Sequence, residues 1–148
     1  MEGEGYLAFA QNFWEKDVKQ SICDFVAIPN LSPIFDSEWA SNGNQEKAIN
    51  HILAWTLAQN IQGLTAKIET IPGLTPTLVV EVQPFKDPKP ADGNILMYGH
   101  FDKQPPFEGW REGLGPTTPV IEGDVLYGRG AADDGYAIYA SIGGIKAC

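Results

Sequence analysis

The sequence predicts an α/β fold in which helices pack on a mixed central sheet. Three observations carry this. Apolar stripes at helical spacing fill the chain as far as residue 63, apolar runs of strand length occupy residues 64–127, and a helix-like stretch follows from Asp134. With 148 residues, 43% hydrophobic and 20% charged, the chain is sized for one packed domain, 1–148, rather than two.

The first helix is expected over about 8–28. Phe13, Trp14, Val18, Ile22, Phe25 and Val26 form its apolar stripe, and Pro29 stops it. Residues 30–33 read as a turn and 36–44 as a polar loop. Asn44, followed by Gln45 and Glu46, reads as the cap of a second helix. That helix carries Ile49, Ile52, Leu53 and Leu57 on one face and ends near Gly63. Trp14 and Trp55 are expected in the core, and His51 is expected to pack or face solvent rather than to ligate.

Leu64, Ala66 and Ile68 alternate with polar residues, as in a half-buried strand. Pro72-Gly73 turns the chain into a more apolar strand at Leu78–Val82. Lys86–Gly93 is rich in proline and charge and reads as a solvated connection. Ile95–Gly99 has the continuous apolar character of a central strand. Residues 105–119 read as loop, and Val120–Tyr127 as a hairpin around Glu122-Gly123-Asp124. The helical pattern from Asp134 runs to Cys148 without a terminating cap, so the expectation is a chain truncated at its C-terminus.

Composition excludes several functions. The net charge is −9, from 19 acidic and 10 basic residues, with no Lys/Arg-rich stretch. Nucleic acid and anionic membranes are therefore not expected partners. No window approaches the roughly 18 apolar residues of a membrane span. Residues 1–11 lack the basic and apolar regions of a signal peptide. Cys23, set among Ile22, Phe25 and Val26, and the distant Cys148 make no disulfide framework. The expected compartment is the cytoplasm.

The chemistry concentrates in two segments, Tyr98-Gly-His-Phe-Asp-Lys-Gln-Pro105 and Tyr127-Gly-Arg-Gly-Ala-Ala-Asp-Asp-Gly135. On an extended backbone His100 and Asp102 share a face. Imidazole binds zinc well, and a nearby carboxylate can hold its second nitrogen. Taken alone, H-x-D also suits a structural pair, and Asp133-Asp134 before a helix also suits an N-cap. A phosphate loop at Gly128–Gly130 is disfavoured, because no Lys-Ser/Thr follows and two aspartates would repel phosphate. Trp110 could shape an entrance or simply pack its loop. Arg129 could serve the turn or pair with an acid.

Together the two segments resemble the co-catalytic zinc peptidase family of carnosinase, glutamate carboxypeptidase, aminoacylase and acetylornithine deacetylase. The matching text is I-L-M-Y-G-H-F-D-K-Q-P, then Gly109-Trp110, then V-L-Y-G-R-G-A-A-D-D-G. Phe25–Ser32 also resembles the exit of that family's first helix. The resemblance implies a three-layer α/β sandwich with His100 on one zinc and Asp133 bridging two. It implies Asp102 as the catalytic-site aspartate that orients His100, and a peptide after Asp133 that is often cis in relatives. Manganese or cobalt would suit the same donors.

The chain departs from the family's common D-D-K-G by having Asp134-Gly135-Tyr136. The family's Glu-Glu pair, with its general base, and the remaining ligands would fall after Cys148. The implied reaction is metal-dependent hydrolysis of a dipeptide or small amide, and relatives are often homodimers. Gln104-Pro105 leans toward a dipeptidase over an N-acyl amino acid deacylase. With only part of the site present, the chain itself is expected to be inactive. A truncated metal- or partner-binding protein and a metal-free domain with capping aspartates are the readings from other classes.

Overall fold

The computed structural model describes residues 2–84 and 93–148. It is a mixed helix-and-strand structure with two small antiparallel sheets. The connection expected over 86–93 lies, apart from Gly93, outside the described residues.

The first helical stretch is longer than the stripe implies. It comprises α1 (Glu2–Phe13), a π-helical turn (Trp14–Val18) and α2 (Lys19–Val26). Phe13, Val18, Ile22, Phe25 and Val26 are buried as expected, but Trp14 is exposed. The π turn inserts between Phe13 and Val18 and breaks the regular spacing that would have carried Trp14 inward.

Helix α3 spans Asn44–Ala58, ending before the expected Gly63. Its first residue is not the cap. Gly43 occupies that position at φ 75°, and the Asn42 side chain accepts the Asn44 N–H at 2.9 Å. The buried face is Gln45, Ala48, Ile49, Ile52, Trp55 and Thr56, which leaves Leu57 exposed. Trp55 decides that rotation. Its ring meets Tyr139 edge-on at 4.4 Å, and its Nε1–H donates to the Asp17 carbonyl at 2.7 Å.

Strands β1 (Leu64–Glu69) and β2 (Thr77–Val82) form an antiparallel hairpin with Leu64 opposite Val82 and Ile68 opposite Leu78. Leu64, Ala66 and Ile68 are the half-buried members of β1. A second hairpin, β3 (Val120–Glu122) and β4 (Val125–Tyr127), pairs separately. A kinked turn, Ala131–Gly135, leads into α4 (Tyr136–Ala147).

Two apolar clusters hold these elements. Phe13, Val18, Ile22, Trp55, Tyr139 and Ile142 join the first helical stretch to α3 and α4. Phe25, Ile28, Ala48 and Ile52 form the second, against which Leu78 and Phe101 pack. Each fully buried aliphatic or aromatic side chain contributes roughly 1.5–3 kcal/mol.

The expected central strand at Ile95–Gly99 is corrected. These residues form no strand, and Ile95, Leu96 and Tyr98 are 87%, 93% and 83% exposed. An apolar run becomes a central strand only when neighbours pair with its backbone and cover its faces, and no strand among the described residues does so. Pairing starts further on. Lys103 makes a parallel bridge with Leu31, through Lys103 N–H to the Asn30 carbonyl (2.9 Å) and Ser32 N–H to the Lys103 carbonyl (2.8 Å).

Candidate metal-binding site

His100 and Asp102 lie on the extended segment that leads to this bridge, and Asp133 lies in the turn before α4. Thirty-odd residues of loop and hairpin separate them in the chain, yet they meet in space. The His100 Nδ1 is 3.2 Å from both the Asp102 carboxylate Oδ1 and the Asp102 carbonyl. The His100 Nε2 is 3.3 Å from Asp133 Oδ1. All three side chains keep partial access to solvent.

Asp134 is turned elsewhere: its Oδ2 accepts the His100 backbone N–H at 3.3 Å. The two aspartates thus divide their tasks, one facing the imidazole ring and the other the backbone that carries it. Asp133 (φ −119°, ψ 92°) and Asp134 (φ −124°, ψ 25°) are not helical, and the peptide between them is cis. Neither side chain caps α4. The capping role that Asp-Asp suggests for a helix start is therefore not the one they play.

Two glycines let the segments approach. A Cβ on Gly99 would stand 2.5 Å from the Ala137 side chain and 3.3 Å from Asp134 Oδ2. A Cβ on Gly130, which sits at φ 86°, would stand 2.6 Å from Lys103 Cε. The first brings His100 against the start of α4. The second seats the Asp133 turn on the H-x-D-K segment.

The hydrogen bonds dictate the tautomer. With two oxygens of Asp102 around Nδ1, the proton of a neutral ring belongs there, donated to Asp102. The Nε2 lone pair then faces a carboxylate oxygen. Two acceptors at this distance call for a cation between them, either a proton or a metal. The 3.3 Å separation also matches the span of about 3.3 Å between two ligands that each sit about 2.0–2.1 Å from one tetrahedral zinc. The donor types and spacing fit zinc. The donor number does not complete a site, because no group of three or more His, Cys, Asp or Glu converges among the described residues and zinc takes three or four protein ligands.

One further participant is not marked by residue type. Lys103, inside the H-x-D-K-Q-P run, is 2% exposed. Its Nζ donates to the carbonyls of Phe25 (2.8 Å), Val26 (3.1 Å) and Ile28, and stands 4.4 Å over the Phe25 ring. Burial pushes its pKa down to about 7. The signal was present in the alternation: if His100 and Asp102 face the site, Phe101 and Lys103 face the core. Asn30, fully buried, holds the same segment by donating its Nδ2–H to the Phe101 carbonyl at 2.7 Å.

The other residues considered have structural settings. His51 Nε2 lies 2.8 Å from the Ser21 carbonyl and 3.0 Å from its hydroxyl, which also meets Tyr139 OH at 2.9 Å. Arg129 serves its turn, with its Nε–H directed at the Gln104 and Pro105 carbonyls and its guanidinium 4.4 Å over Phe107. Cys23 and Cys148 are both free thiols. No helix among the described residues is long and apolar enough to cross a membrane.

No protein-family model matches the chain. A 39-residue stretch, 26% of this chain, is 54% identical to the succinyl-diaminopimelate desuccinylase of Gluconobacter oxydans (strain 621H). The stretch covers 10% of that enzyme, so the chain matches about a tenth of its curated relative's length. The similarity supports the amide-hydrolase resemblance at the level of one segment.

Proposed function

We propose that this chain carries the His100–Asp102–Asp133 part of a zinc-dependent amide hydrolase site, within the three-layer catalytic domain of a cytoplasmic peptidase. One observation carries the reading: with Nδ1 held by Asp102, the His100 Nε2 lone pair faces Asp133 Oδ1 at 3.3 Å. His100 and Asp133 would hold the metal, with manganese or cobalt as alternatives to zinc. When bound, the metal supplies Lewis-acid polarisation of an amide carbonyl and lowers the pKa of water.

This chain's own residues prepare that chemistry. Asp102 keeps the Nδ1 proton in place and so keeps Nε2 available as a donor. Asp133 adds negative charge that offsets the cation. Asp134 fixes the His100 backbone. The general base and the remaining ligands are not assigned to any residue of this chain. The proposed substrate is a dipeptide or small amide, the proposed full-length assembly a homodimer, and the chain itself is expected to be inactive. An N-acyl amino acid deacylase is the second reading, favoured by the match to a desuccinylase. A metal- or partner-binding protein without turnover is the alternative from another class.

Calorimetric titration with zinc tests the assignment. Binding should weaken at least tenfold in both His100→Ala and Asp133→Ala, and Asp102→Asn should lose about 10–100-fold by freeing the imidazole proton. Equal affinity in the wild type, His100→Ala and Asp133→Ala would sink the assigned ligands. Sustained dipeptide hydrolysis by the zinc-loaded chain would contradict the expected inactivity.

A further inference from the structure

We infer that Lys103 is a positioning residue that sets the His100-to-Asp133 spacing by locking both metal-facing segments to the C-terminal end of α2. The inference rests on the proposed metal reading for its consequence and on packing for its cause.

The end of a helix leaves carbonyl oxygens without intrahelical partners, at the negative end of its dipole. At α2 the Val26 carbonyl is such a group; the neighbouring Phe25 and Ile28 carbonyls accept the Ile28 and Asn30 N–H groups at 3.1 and 3.0 Å and have a second lone pair free to accept more. The Lys103 ammonium has three N–H donors, and three carbonyls from this bend receive them. The match of donors to acceptors is complete, which is what allows a lysine to be 2% exposed.

The same side chain touches both halves of the site. Its backbone belongs to the segment that presents His100 and Asp102 and bridges Leu31. Its stem lies against Gly130, where a Cβ would stand 2.6–2.9 Å from Cε, Cγ and Cδ. The Gly130 carbonyl accepts the Gly135 N–H at 2.9 Å, closing the turn that contains Asp133. The lysine stem therefore lies between the helix end and this turn. A shift of the stem moves His100 relative to Asp133.

The test uses Lys103→Met, which keeps the stem's bulk and removes its donors, in the full 148-residue chain. Gly130→Ala forces the stem aside while retaining the ammonium, and at φ 86° it also strains the turn it sits in. Ile49→Ala, a truncation on the buried face of α3, controls for loss of stability alone. Two readouts are taken on folded protein: zinc affinity by calorimetry, and the His100 tautomer by nitrogen-15 NMR of the metal-free chain. Lys103→Met and Gly130→Ala should each bind zinc at least tenfold more weakly and show mixed His100 tautomers, while Ile49→Ala retains wild-type values of both.

Wild-type affinity and a single Nδ1–H tautomer in both site variants would overturn the inference. So would equal losses in Ile49→Ala. Should Lys103→Met fail to fold, Gly130→Ala decides by the same criteria. Should the wild type bind no zinc, the metal reading fails, and the tautomer measurement alone supports or overturns the positioning role.

Discussion

Residues 95–98 and 100–103 are neighbours in the chain and opposites in packing. Ile95, Leu96 and Tyr98 are apolar or aromatic and almost fully exposed, whereas Lys103 carries a charge and is almost fully buried. Hydrophobicity alone orders them the wrong way. What separates them is pairing. The Lys103 backbone bonds to Asn30 and Ser32, and its ammonium meets three carbonyls. Residues 95–98 have no strand beside them among the described residues. A polar group with every donor satisfied can be buried, and an apolar run without neighbours to cover it cannot.

The largest expected effect breaks this contrast at its buried end. Lys103→Met removes three hydrogen bonds; the Phe25 carbonyl keeps the Ile28 N–H and the Ile28 carbonyl keeps the Asn30 N–H, so among the described residues the Val26 carbonyl is the one left unsatisfied, at about 1–3 kcal/mol. Weaker hydrogen bonding at the other two carbonyls adds to this and some relief comes from no longer burying a charge, so we expect a net loss of about 2 kcal/mol in urea denaturation. Leu96→Ala, deleting the more hydrophobic side chain, should stay within about 0.5 kcal/mol. Equal losses for the two substitutions would overturn the contrast.

A second effect should appear as pH dependence of stability. Burial holds the folded-state pKa of Lys103 at about 7, against an ordinary 10.5. Below pH 7 both states carry the proton. Between pH 7 and 10.5 the unfolded chain still binds a proton that the folded chain has released, so this group makes stability rise with pH. Tyr139 acts in the opposite sense: burial raises its pKa from 10.0 to about 12. From pH 10 to 12 the unfolded chain has lost a proton that the folded chain keeps, so stability falls. Lys103→Met should flatten the rise, and Tyr139→Phe should flatten the fall. Taking each as a difference from wild type cancels the other titrating groups. A Lys103→Met profile parallel to wild type from pH 7 to 10.5 would show the lysine to be titrating normally.

Helices and hairpins were legible in the sequence because local spacing encodes them. The Leu64–Ile68 alternation and the Glu122-Gly123-Asp124 turn are complete signals within a few residues. The misplacements have long-range causes. Leu57 fits the α3 stripe by spacing, but Trp55 reaching Asp17 and Tyr139 turns that stripe away from it. Trp14 is displaced by a π turn whose extra residue no propensity announces. Ile95–Gly99 reads as a central strand because composition records what a run could pair with, not whether a partner is there. At the site, His100, Asp102 and Asp133 were legible by residue type and resemblance. Lys103 is less legible, because a lysine beside polar neighbours reads as surface, although the strand alternation points it inward.

The mildest substitution probes the exposed end of the comparison. Ile95→Thr combined with Leu96→Thr keeps the backbone's extended preference and removes two branched apolar groups from solvent. Since neither side chain is buried in the fold, denaturation should give a change below about 0.5 kcal/mol. Solubility should respond instead, because an extended apolar run without pairing neighbours is the kind of segment through which chains associate. Light scattering across a concentration series should show less self-association in the double variant than in the wild type. If the substitutions destabilise the chain instead, residues 95–96 would be packed in solution, and the contrast with Lys103 would disappear.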